Sequence, residues 1–228
     1  MPVTPDYRTG LEKRIDKLSR SINVLRTDIE EMEVPELKGI LGRYAAAFTG
    51  FFSYWVAASK EAVKTPHAKK LLGKNLLEEI EGNHPQMLFD FVRSAGVLPE
   101  AKDFQDIDKE VRHLNKVFAS LSPVKAAIIT AVLEATAVDD MKYLAAIAKK
   151  LGSKNFTYTT VHGELDLEHT EELLQATESE MRNRHSKLRR GGIDPEKEIK
   201  RDIATAVSAV GRLLKKIIKP GSEIGRRG

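Results

Sequence analysis

The sequence VHGELDLEHTEELL, residues 161–174, carries three polar side chains at a spacing around which the rest of the chain can be arranged. His162, Asp166 and His169 are separated by four and three residues, so in an α-helix all three project from one face. Two imidazoles and one carboxylate spread over about two helical turns can bind one or two metal ions. The alternative is a polar helix surface that carries two ordinary histidines.

A second possible metal-binding pair lies in the helical stretch of residues 66–97. Glu81 and His84 are at positions i and i+3, the spacing at which one helix presents a carboxylate and an imidazole to the same ion. Gly82 and Pro85 interrupt the helical pattern at this point.

A break at Gly82 leaves the choice of glutamate open, because it changes which side chains point inward. Glu78 and Glu79 are the alternatives to Glu81 as the partner of His84.

The third candidate is Glu134, in a helix predicted from Ser122-Pro123 to about Leu151. The residues before it, 126–133, are almost continuously apolar, which indicates a helix buried nearly all round. A carboxylate in such surroundings costs several kcal/mol unless it is paired, protonated or bound to a cation. Glu134 is therefore predicted to be a metal ligand, with a salt bridge to a lysine or arginine as the alternative.

The N-terminal residues 10–34 are predicted to form one long helix with a heptad pattern. Its apolar positions alternate in steps of four and three: Leu11, Ile15, Leu18, Ile22, Leu25, Ile29 and Met32. Such a seam is typical either of a helix that packs on its own domain or of a coiled coil with a second copy. A possible homodimer follows from the second interpretation.

Two further helices are predicted elsewhere in the chain. Residues 36–63 carry aromatic side chains on one side, which suit either the core of a bundle or the wall of a ligand pocket: Tyr44, Phe48, Phe51, Phe52 and Trp55. After a basic segment from Met181, a last amphipathic helix begins at Asp194-Pro195. We expect this helix to pack on the bundle.

The pattern as a whole predicts an all-α bundle of about seven helices. We divide it into an N-terminal heptad-patterned helix (1–35), a metal-binding bundle (36–185) and a basic linker with a C-terminal amphipathic helix (186–228).

Composition narrows the class of protein. The 228 residues are 41% apolar and 31% charged, with a formal net charge of +4, which is normal for a globular protein. No apolar run approaches the roughly 20 residues of a membrane span, and the N-terminus lacks the pattern of a signal peptide. A cytoplasmic location, without membrane or nucleic-acid partners, is the expectation. The absence of cysteine excludes thiolate metal sites and a cysteine nucleophile.

Together the three helices offer three carboxylates and three imidazoles: Glu81, His84, Glu134, His162, Asp166 and His169. Oxygen and nitrogen ligands without thiolates suit iron or manganese, and zinc is also possible by ligand type. Six side chains suit a pair of ions that keeps open positions.

A carboxylate–histidine helix, then a buried glutamate, then HxxxDxxH resembles the haem-oxygenase-like diiron oxidases and oxygenases. Relatives in that family include an alkene-forming fatty-acid oxidase and a para-aminobenzoate-forming enzyme. The resemblance covers residues 36–182 and includes NLLEEIEGNHPQMLFDFVRSAGV, residues 75–97. By position, His162, Asp166 and His169 match the family motif, and Glu134 matches its middle glutamate. His84 matches the histidine of the third helix. The spacing between this histidine and its partner glutamate varies in the family, and Glu81 gives the short spacing, ExxH.

The resemblance implies a haem-oxygenase-like fold and an enzyme with two iron ions that uses O2 as co-substrate. It implies a small carboxylate or amine substrate, an amino acid or a fatty acid, and a peroxo intermediate that leads to C–C cleavage or N-oxygenation. Haem oxygenase itself is disfavoured because no histidine precedes His67, and a thiaminase-type enzyme because there is no cysteine. The alternative is a non-catalytic interaction or metal-binding protein that dimerises through the N-terminal helix.

Overall fold

The chain folds into α-helices joined by short loops, as the sequence predicted. A computed structural model describes residues 5–120 and 122–219, and within them the chain forms nine α-helices, one short 3-10 turn and no strand. The helices are α1 (Tyr7–Asn23), α2 (Val34–Phe48), α3 (Phe52–Ala62), α4 (Pro66–Glu81), α5 (His84–Ser94), α6 (Ala101–Ala119), α7 (Pro123–Lys150), α8 (Thr157–Arg190) and α9 (Pro195–Ile218).

The count exceeds seven partly because two predicted helices are each broken. Residues 36–63 divide at Thr49–Phe51 into α2 and α3. Residues 66–97 divide at Gly82-Asn83 into α4 and α5, and Asn83 has φ = 50°, in the left-handed region that asparagine tolerates better than most residues. Pro85 follows in the first turn of α5, where its missing N–H is not needed. The predicted irregularity at this point is confirmed.

Helices α7 and α8 form the centre of the bundle and pack against each other along much of their length. Residues 126–134 of α7 are buried without interruption, because α3, α8 and α9 surround this part of the helix. Helix α4 packs on the neighbouring side of α8, and α5 also contacts α8. Four helices, α4, α5, α7 and α8, therefore meet at the predicted metal site.

The prediction of one helix over residues 10–34 is wrong in its second half. Helix α1 ends at Asn23, and a 3-10 turn at Ile29–Glu31 follows. Beyond Asn23 the chain contacts α7. The Arg26 guanidinium pairs with the Asp140 carboxylate and donates to the carbonyl oxygen of Asp139. Lys150 Nζ, at the end of α7, donates hydrogen bonds to the carbonyl oxygens of Ile29 and Glu30 in the 3-10 turn.

The heptad seam of α1 packs within its own chain. Leu11, Ile15, Leu18 and Ile22 are buried, and α1 contacts α7, α8 and α9. Gly211 on α9 permits a close approach, since a Cβ there would lie 2.8 Å from Leu18 Cδ1. The seam is thus covered by this chain itself, as expected for a helix that packs on its own domain.

Leu11→Ala tests this packing. Leu11 has no exposed surface, so we expect the substitution to lower the free energy of unfolding by about 2–5 kcal/mol through lost burial and a residual cavity. Val24→Ala, at a position that is 84% exposed, is the control and should change it by less than about 0.5 kcal/mol. Urea unfolding measures both. A negligible effect of Leu11→Ala would show that α1 does not pack on the bundle.

The last two helices also pack through their apolar residues. Helix α8 extends to Arg190, so the first part of the predicted basic linker, which begins at residue 186, is helical. The apolar face of α9 is buried: Ile203, Val207, Val210, Leu214 and Ile217.

None of the helices in residues 5–120 and 122–219 combines the length and the apolar character needed to cross a membrane.

Candidate metal centre

The break between α4 and α5 brings Glu79 and His84 together. Both side chains are buried, and His84 Nδ1 donates a hydrogen bond to Glu79 Oε1 at 2.7 Å. Glu79 lies on the buried face of α4, while His84 is the first residue of α5 and returns toward it across the turn. Gly82 makes room for the imidazole, because a Cβ at this position would lie 2.5 Å from His84 Nε2.

His162 of α8 completes a group of three possible ligands. One ligand atom each from Glu79, His84 and His162 lies within 4.8 Å of the others, and all three residues are buried. The two imidazole rings are 4.5 Å apart between centroids. Burial lowers the pKa of His162 to about 4, so at neutral pH the ring is uncharged and has a lone pair available for a cation.

A second group lies on α4, α7 and α8 and contains Glu78, Glu134 and His169. His169 Nε2 donates to Glu78 Oε2 at 2.6 Å, and His169 Nδ1 lies 3.8 Å from Glu134 Oε1. His169 and Glu134 are almost fully buried, whereas the Glu78 side chain is 36% exposed. On the solvent side Lys74 Nζ lies 3.9 Å from Glu78 Oε1.

A small cavity of about 30 Å³ is bordered by residues of both groups. His84, His162 and Glu134 all border it, so ligands from both groups face one space. The remaining walls are mainly apolar: Tyr44, Phe48, Phe52, Pro85, Leu88, Leu133, Ala137, Asp140, Met141 and Tyr158. The aromatic residues of α2 and α3 thus supply both core, as with the fully buried Trp55, and cavity wall.

The structure brings together four of the six residues predicted from the sequence. His84, Glu134, His162 and His169 lie at the centre, buried and on three different helices. Asp166 lies on α8 between the two histidines, and its side chain is outside the described residues.

Glu81 is the exception, because it is exposed and its place beside His84 is taken by Glu79. The i, i+3 rule that selected Glu81 assumes one continuous helix. The helix instead ends at Glu81, and the turn at Asn83 redirects the chain, so the spacing no longer predicts which carboxylate faces the imidazole. Which glutamates bind a metal ion stays a prediction.

The sequence reasoning also missed Asn75, a fully buried residue whose side chain contacts Glu134. The signal for it was its position one helical turn before Glu78 and Glu79, on the same side of α4.

Gly82→Ala tests whether the turn positions His84. The backbone of Gly82 has φ = −72° and ψ = −10°, which alanine adopts freely. The expected effect therefore comes from the contacts of the added Cβ, with the imidazole of His84 and with the backbone carbonyl oxygen of Glu78 at 2.8 Å. We expect the affinity for Fe²⁺ or Co²⁺ to fall by about 10- to 100-fold, as for other groups that orient a ligand.

Gly163→Ala is the matched control, next to His162 in the middle of α8. A Cβ there meets nothing within 4 Å, so this variant should keep its metal affinity and gain up to about 1 kcal/mol of helix stability. Metal titration and thermal unfolding of both variants check the pair. Equal metal affinities would show that the ring does not need the space at Gly82.

The donor set fits iron. Carboxylates and imidazoles without a thiolate suit iron and manganese, with zinc also compatible. The buried His169 Nδ1 makes no hydrogen bond within residues 5–120 and 122–219, and it faces a carboxylate oxygen at a distance longer than a hydrogen bond. A cation between such groups would compensate carboxylates that apolar surroundings otherwise disfavour.

A comparison with protein families matched residues 43–193, well over half of the chain, to a family described as iron-containing redox enzymes. Neither the curated proteins nor the solved structures gave a match. The matched range includes all the residues of both ligand groups and of the cavity. The chain therefore belongs to this family of iron-containing redox enzymes, and its haem-oxygenase-like helical fold is the one that the sequence predicted.

Proposed function

We propose that the protein is a non-haem diiron oxidoreductase that uses O2 as co-substrate. In this proposal Glu79, His84 and His162 hold one iron ion, and Glu78, Glu134 and His169 hold the other, with Asp166 as a further ligand. The observation that carries it is the buried group of Glu79, His84 and His162, in which three ligand atoms converge within 4.8 Å. The family match supports the choice of iron.

When bound, ferrous ions supply the electrons for the reduction of O2, a reaction for which side chains alone have no suitable group. The chain's own residues bind and orient the reactants. The neutral imidazole of His162 is ready to coordinate at neutral pH without losing a proton. Phe48, Phe52 and Met141 border the cavity and keep bulk water away from the reacting atoms.

The proposed substrate is a small carboxylate or amine, an amino acid or a fatty acid, which undergoes C–C cleavage or N-oxygenation. The apolar cavity walls support a substrate with a hydrocarbon portion. The cavity volume of about 30 Å³ is far below the roughly 300–1,000 Å³ that is typical of ligand pockets. Substrate entry therefore requires side chains of the wall to move.

The direct test is iron uptake followed by exposure to O2. Metal-free protein is titrated anaerobically with ferrous iron, and we expect about two ions per chain in the wild type and fewer in Glu134→Ala and His162→Ala. Rapid O2 consumption by the loaded protein, lost in both variants, would support the proposal. Absence of iron uptake by the wild type, or uptake by both variants equal to that of the wild type, would reject it. Uptake without O2 consumption would instead favour a metal-binding protein without turnover.

A further inference from the structure

Asn75 makes a buried polar contact that the ligand assignment does not use. Its side chain has no exposed surface, and its Nδ2 atom donates a hydrogen bond to Glu134 Oε1 at 3.0 Å. The contact joins α4 to α7, two helices that each contribute carboxylates to the candidate metal centre. It is a bond between side chains fifty-nine positions apart in the sequence.

The chemistry of the two groups fixes the orientation of the Asn75 amide. A carboxylate that binds a metal ion is deprotonated and only accepts hydrogen bonds, so in the proposed role of Glu134 the amide presents its nitrogen to it. The Asn75 Oδ1 atom, on the other side, has no hydrogen-bond partner within residues 5–120 and 122–219. The side chain therefore leaves its own acceptor unsatisfied while it donates to Glu134. A buried acceptor without a partner costs stability, and a role in the site would explain why it is kept.

The bond acts on one oxygen of a carboxylate that otherwise lies in an apolar helix. Residues 126–133 of α7, directly before Glu134, are all buried, and only Thr130 among them is polar. A donor at Oε1 limits rotation of the carboxylate about its last single bond and offsets part of the cost of burying its charge. Asn75 is itself held on the face of α4 that carries Glu79.

We infer that Asn75 is a positioning residue, which orients the Glu134 carboxylate for metal binding. The inference rests on the proposed function, because it assumes that Glu134 is a ligand. Groups that orient a ligand from behind typically account for about 10- to 100-fold in metal affinity. Asn75 should therefore affect the metal centre although it is not among the proposed ligands.

The test compares Asn75→Leu with Asn115→Leu in titrations of the metal-free full chain with Co²⁺, followed by visible absorption and equilibrium dialysis. Asn115 is the matched control, because its side chain also makes a hydrogen bond between helices, to Trp55 Nε1 at 2.7 Å, outside the ligand groups. We expect Asn75→Leu to weaken binding of at least one Co²⁺ ion about 10- to 100-fold and to alter the visible spectrum. Asn115→Leu should lose stability but keep the affinities and the spectrum of the wild type.

A second measurement uses metal-free protein. It tests the contact of Asn75 with Glu134 even if Asn75→Leu is too unstable for metal titration. The melting temperatures of the metal-free wild type, Asn75→Leu, Glu134→Leu and the double variant form a cycle that isolates the coupling of the two side chains. We expect Asn75→Leu to lower the melting temperature in the wild-type background and to have little effect, or to raise it, when Glu134 is already leucine.

The outcomes separate this inference from the proposed function. If the wild type binds no Co²⁺ and no Fe²⁺, the proposed function fails and the inference fails with it. If the wild type and Asn75→Leu bind Co²⁺ with equal affinity and identical spectra, the metal centre stands and the role of Asn75 is overturned. Additive effects in the thermal cycle would likewise overturn it.

Discussion

Glu79→Ala should reduce the affinity for the first iron ion by roughly 100-fold or more, because it removes a direct ligand, and groups that merely orient a ligand already account for about 10- to 100-fold. Glu79 is 2% exposed and accepts a hydrogen bond from His84. The variant therefore also leaves His84 without its carboxylate partner. We expect iron uptake to fall from about two ions per chain to one or none, measured anaerobically with ferrous iron.

Glu81→Ala is the matched control, two residues further along the same helix. Glu81 is exposed, so its replacement should leave iron uptake unchanged and alter the free energy of unfolding by less than about 0.5 kcal/mol. The reverse pattern, with uptake lost in Glu81→Ala and kept in Glu79→Ala, would restore the ligand expected from sequence spacing. It would also show that the turn at Asn83 is arranged differently in solution.

Glu134→Gln should lower the affinity for metal and raise the thermal stability of the metal-free protein. Glutamine keeps the shape of glutamate and still accepts the hydrogen bond from Asn75, but it carries no charge and is a poor ligand for iron. We expect the metal-free variant to unfold a few degrees higher than the wild type, since a buried charge has been removed. Metal affinity should fall by roughly 100-fold or more, by the same comparison with groups that only orient a ligand.

Calorimetry of the metal-free proteins, together with ferrous iron titration, measures both quantities. A lower melting temperature for Glu134→Gln would show that the carboxylate is stabilised by the protein itself, as in a structural ion pair. In that case the argument that its burial favours a bound cation would be wrong. Unchanged iron affinity would remove Glu134 from the ligand set while leaving Glu79, His84 and His162 in place.

The central helices could be predicted from the sequence because their patterns are long and self-consistent. Apolar residues on all sides of α7 indicate burial, and the spacing of His162 and His169 places both on one face of α8 wherever the helix begins or ends. The anomaly at Glu134 was visible because a charge is rare in such a segment. Each of these features can be recognised within the sequence of a single helix, without knowing how the helices pack.

The features that sequence did not predict depend on how separate segments meet. Which of Glu79 and Glu81 lies beside His84 depends on the backbone direction after Asn83, which no pattern of apolar residues specifies. Asn75 has no periodic partner, and its proposed role rests on a contact with another helix. The chain after α1 contacts α7 through the ion pair of Arg26 and Asp140, which are far apart in the sequence.

The two-residue interruption between α4 and α5 has a consequence for how this protein can vary. An insertion inside a helix rotates every later side chain by about 100° and misdirects its buried face. A residue added or removed at positions 82–83 instead falls between two helices, each of which keeps its own register. The separation of the carboxylate from the imidazole can thus change by small steps during evolution while the surrounding bundle keeps its packing.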